Sequence, residues 1–125
     1  MIPKFRVWLT DIDQMLRVKA LVFEKDKTRC VCGYSFDFYL EDENATIMQS
    51  TGLRDKNGKE IFEGDIVKMS KDVYSEPTYY EVVRHYGGAY RLESKQHGCE
   101  LWLRHTDCEV VGNVYENREL LEDKE

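Results

Sequence analysis

No apolar run in the 125-residue chain approaches the ~20 residues needed to span a bilayer, which excludes a membrane-crossing helix. The opening stretch, Met1 to Trp8, alternates charged and apolar side chains. It lacks the continuous apolar region of a secretory leader, so a cytoplasmic protein is expected. Positive charge is also short: 18 Lys and Arg stand against 24 Asp and Glu, for a net charge of −6 and a pI near 5.1. A general nucleic-acid binder needs a positive footprint, so that class is disfavoured. Alanine is scarce, at 3 residues against 11 Val, 5 Ile and 6 Thr. That bias, with 8 Tyr, 5 Phe and 2 Trp, favours strands, because β-branched and aromatic side chains fit a pleated, half-buried surface. The chain has no phosphate-cradling glycine loop, dinucleotide fingerprint or nucleophile elbow. No catalytic residue, cofactor or metal is therefore assigned.

Hydrophobic residues make up 42% of the chain, too many for a disordered polymer and enough for one modest core. The expectation is a single domain over 1–125. Within it, a β subdomain covers 1–49, a barrel portion 50–116 and a short helix 117–124. Without a secretory segment the four cysteines read as reduced thiols. Cys30 and Cys32, two apart, share a strand face. A zinc set of Cys30, Cys32, His97 and Cys99 is conceivable, but the paired spacing typical of structural zinc is missing. Small core hydrophobes are the simpler reading.

Alternation marks Phe5 to Leu9 as a strand, and Met15 to Phe23 as two further extended segments. Glu24 to Thr28 is a charged turn. Arg29 to Tyr34 and Thr46 to Ser50 read as strands, while Phe36 to Asn44 resists assignment. Asp55 to Lys59, containing Asn57-Gly58, is a tight turn. Glu63-Gly64-Asp65 is a second turn, leading into a strand from Ile66 to Met69. Gly87-Gly88 between Tyr79–Tyr86 and Ala89–Ser94 signals a two-residue hairpin. That register sets Val83 opposite Leu92, His85 opposite Tyr90 and Arg84 opposite Arg91. Cys99 to His105 and Glu109 to Tyr115 read as strands, with Gly112 at a bulge or close approach. Asn117 is placed to cap the final helix. Short strands divided by glycine turns suggest a mostly β barrel or roll.

Three blocks carry a family resemblance. Thr51-Gly-Leu-Arg-Asp-Lys-Asn-Gly-Lys-Glu-Ile-Phe-Glu-Gly-Asp-Ile-Val67 resembles the hallmark "TGL-D-NG-EI-EGDIV" run of the YopX family. Glu109-Val-Val-Gly-Asn-Val-Tyr-Glu-Asn-Arg-Glu-Leu-Leu121 is similar to that family's closing "VIGNIYENPELL", with Arg118 where Pro is usual. Lys4-Phe-Arg-Val-Trp8 is similar to its "KFRAWD" opening, although Leu9-Thr10 departs from it. The resemblance implies a small protein of a bacteriophage or prophage, with a mostly β fold of SH3-like barrel or roll type. It brings no activity and no catalytic residue. The motif residues Thr51, Gly52, Asn57, Gly58, Glu63, Gly64, Asp65, Gly112, Asn113 and Tyr115 have structural explanations as turn, strand-start and capping positions, so they read first as a folding signature.

The favoured function is a non-catalytic protein-interaction module whose partner is a host or phage protein, or a second copy of the chain. Tyrosine supplies rigid contact area with a polar tip. The candidate surface is Tyr79, Tyr80, Tyr86, Arg84 and Arg91. Tyr79, Tyr80, Arg84 and Arg91, with Lys95, would serve an SH3-like nucleic-acid binder, against the acidic balance. The remote alternative is a metal-dependent nuclease built on Glu93-Ser-Lys95, with Asp72 or Glu81 as second acid.

Overall fold

A computed structural model describes residues 4–33, 36–70, 74–95 and 97–122, and for Tyr86 the backbone alone. The chain is mostly β and divides into two compact units, Met1–Gln49 and Ser50–Glu125.

In the first unit, β1 (Phe5–Leu9) pairs antiparallel with β2 (Gln14–Arg17), setting Val7 opposite Leu16. Asp13 makes the reversal at φ 51°, a left-handed conformation that Asp tolerates better than most residues. The strands β3 (Ala20–Phe23), β4 (Thr28–Val31) and β5 (Asp37–Tyr39) form an antiparallel three-stranded sheet. The charged turn therefore lies at 24–27, and the unassigned stretch after Phe36 holds a short strand and a 3-10 turn at Leu40–Asp42. Val7, Leu9 and Cys30 are buried here against Leu16, Leu21 and Phe38. Cys30 and Cys32 do share a side, with their sulfurs 3.6 Å apart. Tyr34 lies outside the described residues.

β6 (Ala45–Arg54) is twice the expected length and runs across the division. Residues 45–49 pair with β1 in the first unit. In the second unit its later residues pair with β7 (Glu60–Phe62) through an irregular stretch between Ser50 and Arg54. Gly52 sits in that stretch at φ 79°, a conformation costly for any side chain.

The rest of the second unit is an antiparallel sheet. Its members are β8 (Asp65–Met69), β9 (Thr78–Arg84), β10 (Tyr90–Glu93), β11 (Gly98–Glu100) and β12 (Glu109–Asn113). Their spatial order is β11-β10-β9-β8-β12. One face follows the period-2 rule and is apolar: Val67, Met69, Tyr80, Val82 and Leu92 pack with Ile61, Leu101 and Cys108. Fully burying each aliphatic side chain is worth about 1.5–3 kcal/mol. The opposite face of β9 and β10 carries Tyr79, Glu81, Arg91 and Glu93, all half-buried.

Three expectations need correction. The hairpin loop has three residues, Tyr86-Gly87-Gly88, because the His85 N–H donates to the Ala89 carbonyl at 2.7 Å. The register moves by one, so Leu92 faces Val82, Arg84 faces Tyr90 and Arg91 faces Val83. The stretch Cys99 to His105 is a strand only to Glu100. It then coils into α1 (Leu101–Arg104), with Leu101 alone buried, and a 3-10 turn at His105–Asp107. The closing helix is a single 3-10 turn, Arg118–Leu121; residues 123–124 lie outside the described part. Asn117 does not cap that turn, because its Oδ1 accepts the Asn113 N–H instead.

Candidate docking cleft

The family-motif residues build the frame of the second unit. Asp55, buried, accepts the N–H groups of Asn57 and Lys59 through Oδ1 and of Val110 through Oδ2, at 2.8–2.9 Å. The turn Asp55–Lys59 is thereby tied to β12, and Gly58 supplies the positive φ of 83° that the turn requires. The Thr51 hydroxyl donates to the Ile61 carbonyl at 2.7 Å, and Ser50 Oγ donates to Glu60 at 2.6 Å. Asp65 Oδ2 accepts the Phe62 N–H, holding the β7–β8 turn that contains Glu63 and Gly64. At the far end, Asn113 Oδ1 accepts the N–H groups of Tyr115 and Glu116, while its Nδ2 donates to Glu116 Oε1. A Cβ on Gly112 would lie 2.6 Å from Asn117 Cγ. Glycine there lets Asn117 fold over β12 and reach the Asn113 amide. Ser50, Asp55, Glu60 and Glu116 belong to this frame although they were not among the candidate site residues, and Asn117, expected as a helix cap, serves the frame instead. Their signal was the family blocks themselves, in which all but Ser50 lie.

The expected surface of Tyr79, Tyr80, Tyr86, Arg84 and Arg91 is distributed over the β9–β10 hairpin. Tyr80 is 1% exposed and belongs to the core. Tyr79 and Arg91 lie on the opposite face, and Arg84 sits at the exposed end of β9 with the parity of Tyr80 and Val82. Side-chain placement of Tyr86 lies outside the described residues. Alternation along one strand separates neighbours such as Tyr79 and Tyr80, and the one-residue register change separates Arg84 from Arg91.

The face bearing Tyr79 and Arg91 does form a concavity. A cleft of about 730 Å³ lies over it. Its floor includes Tyr79 and Glu81 of β9 and Glu93 of β10. The 94–97 turn, closed by the Ser94 N–H donating to the His97 carbonyl, contributes Lys95 and His97. The 3-10 turn after β12 contributes Arg118, Leu120 and Leu121 and packs against β9. The loop before β9 adds Ser75 and Glu76. Apolar and charged groups thus line one space.

Among the described residues its lining leans acidic, with Glu76, Glu81, Glu93 and Glu122 against Lys95 and Arg118. Arg91 is shared between carboxylates: Nε lies 3.0 Å from Glu93 Oε1 and Nη1 lies 2.5 Å from Glu100 Oε1. Gly98, opposite Glu93, leaves space for this pair; a Cβ there would lie 2.8 Å from Glu93 Oε2. Glu81 stands directly across the ladder from Glu93. Burial pushes the Glu81 carboxyl pKa up, and the charge of Arg118 offsets that only in part.

Of the nuclease proposal, Glu93, Lys95 and Glu81 share the cleft, with Glu93 engaged by Arg91; Asp72 lies outside the described residues. Among the described residues no group of three or more His, Cys, Asp or Glu is arranged to hold a metal ion. Burial pushes the thiols of Cys30 and Cys108 up to about 12, which suits packing better than ligation, since the thiolate is the ligand. Among the described residues no helix is long and apolar enough to cross a membrane. Sequence reasoning also passed over Trp102 and Leu103 of α1, which are 64% and 58% exposed.

Fold and cleft together define a small, mostly β protein with a framed acidic and apolar cleft on one sheet. The chain belongs to the YopX protein family, whose model matches residues 4–122. It is similar to the crystal structure of protein EF1440 from Enterococcus faecalis, at 29% identity and TM-score 0.65, covering 98% of this chain and 99% of that one. It is also similar to the crystal structure of protein yopX from Bacillus subtilis. There the identity is 25% and the TM-score 0.69, with 95% of this chain and 98% of that one covered. No curated protein matches the chain.

Proposed function

We propose that this protein is a non-catalytic protein-interaction module, encoded by a bacteriophage or prophage and working in the cytoplasm of the host bacterium. Its partner, a host or phage protein, docks in the cleft over β9 and β10. The observation that carries this reading is the lining of that cleft. An apolar side made by Tyr79, Leu120 and Leu121 adjoins carboxylates that outnumber the cations among the described lining residues. Such a mixed concave lining suits recognition of a polypeptide segment, which offers apolar and charged groups together. The excess of carboxylates there disfavours a phosphate backbone.

The test is capture of partners by tagged protein from host lysate, with and without nuclease, followed by mass spectrometry. A stoichiometric protein that survives nuclease and is lost with Tyr79→Ala/Leu120→Ala is the expected result. Proteins that all disappear on nuclease treatment, with nucleic acid recovered and retention falling steeply with salt, would replace it with the nucleic-acid reading.

A further inference from the structure

We propose that the segment docking in this cleft carries an arginine, whose guanidinium sits between Glu81 and Glu93 while an adjoining apolar side chain packs on Leu120 and Leu121. The inference rests on the cleft being the docking site and names the chemistry of its occupant.

The argument starts from the ladder. Glu81 and Glu93 face each other directly across β9 and β10. Side chains in such a pair stand with their Cβ atoms about 5 Å apart, and like charges there destabilise a sheet. Among the described residues the fold supplies a hydrogen-bond donor on one side only. Glu93 takes a hydrogen bond from Arg91, which is itself divided between Glu93 and Glu100. No donor reaches the Glu81 carboxylate among the described residues; the charge of Arg118 acts on it at longer range. A half-buried, unpaired carboxylate beside a like charge costs stability. Both groups line the same open cleft, so the compensating cation can come from outside.

The geometry chooses among cations. Calcium takes six to eight oxygen ligands; the cleft brings together two facing carboxylates, one already hydrogen-bonded, and no metal-holding group of three exists among the described residues. A guanidinium is planar, presents five donors in a fixed fork and bridges carboxylates, and its weak hydration suits a partly dry site. Its alkyl stem is apolar and matches Tyr79 and Leu121 on the same lining. A bare ammonium ion uses none of that apolar surface. An acidic segment would meet the carboxylates directly.

The test is an amide-resolved NMR titration of the whole chain with the peptide acetyl-Leu-Arg-Leu-amide, and in parallel with acetyl-Leu-Gln-Leu-amide. Saturable shifts confined to Tyr79–Val83, Tyr90–Lys95 and Arg118–Leu121 are expected with the arginine peptide, with binding at least about fivefold weaker for the glutamine peptide. Glu81→Gln should weaken the arginine peptide by at least about fivefold, while Glu43→Gln, on the other unit, leaves it unchanged; the amide spectrum of each variant reports that it is folded. Equal binding of the two peptides, no change with Glu81→Gln, or no saturable shift up to about 10 mM overturns the proposal. The two readings fail separately. A lysate partner that needs Tyr79 and Leu120 but tolerates Glu81→Gln keeps the docking cleft and removes the arginine. Arginine-peptide binding without any nuclease-resistant partner does the reverse.

Discussion

Asp55 illustrates how one side chain can fix several segments at once. Its two oxygens accept three backbone N–H groups, two from its own turn and one from β12, 55 residues away. Asp55→Ala leaves those donors without a partner and should cost about 3 kcal/mol, read by urea unfolding. Burial alone would raise this carboxyl, but the three N–H donors outweigh it and hold its pKa below the ordinary Asp range. The native state therefore binds the proton more weakly than the unfolded chain does. The stabilisation is complete above the unfolded value of about 3.9 and disappears as pH falls through the lower, folded value. Asp55→Asn should flatten the acid limb of the stability curve; an unchanged limb would remove Asp55 as its source. Gly112 is a steric counterpart. Adding a methyl group there meets Asn117 along its side chain, so Gly112→Ala should cost about 1–3 kcal/mol. The cost should shrink in an Asn117→Gly background, because the clash and the Asn113 amide bond are lost together. Full additivity in that double-mutant cycle would mean that the two residues do not interact.

The hairpin of β9 and β10 carries a cost that runs the other way with pH. Burial raises the Glu81 carboxyl, so the folded state holds its proton more tightly than the unfolded chain. The penalty is absent below the unfolded value and complete above the folded one. Glu81→Gln should therefore stabilise the protein at pH 7 by some tenths of a kcal/mol and lose that advantage as pH falls through the raised folded value toward about 4, the unfolded Glu range. Thermal unfolding of both forms across pH reads it directly, and a variant less stable than the parent at pH 7 would contradict it. A residue that improves stability when replaced is a frequent mark of a binding position. The element pattern of this hairpin was largely legible: alternation located both strands and Gly87-Gly88 located the reversal. The register was not, because glycine pairs do not say whether the loop holds two residues or three, and one residue turns every side chain to the other face. Arg84 and Arg91 parted company for that reason, and Glu81 came to face Glu93. The stretch after Glu100 was illegible for a different cause. Leu101, Trp102 and Leu103 form a short apolar run, which periodicity alone cannot divide between strand and helix.

At the scale of the molecule, the mostly β character followed from β-branched and aromatic content, and three sequence blocks sufficed for the family. The cleft was not readable, because its floor and one wall come from segments some 25 to 40 residues apart, Tyr79 to Glu93 and Arg118 to Leu121, and no local pattern joins them. The two units also differ in how much each buries. The first centres on a cluster of three buried side chains, Val7, Leu9 and Cys30, with Trp8 and Met48 buried outside it. The second centres on eight, from Ile61 to Cys108. Since each adds roughly 1.5–3 kcal/mol of burial, local stability should be lower in the first unit. Native-state hydrogen exchange is the measurement that resolves this. Amides of β3 and β4 should exchange through openings of smaller free energy than those of Val67, Val82 and Leu92. Val7→Ala should then lower protection in β1 and β2 by about 1–3 kcal/mol while the slowest amides of β8–β10 hold theirs. Leu92→Ala should lower protection throughout the second unit by about 2–5 kcal/mol. If Val7→Ala instead reduced protection equally at every amide, the chain would open only as one cooperative whole, and the smaller core would be held by the same global transition as the larger.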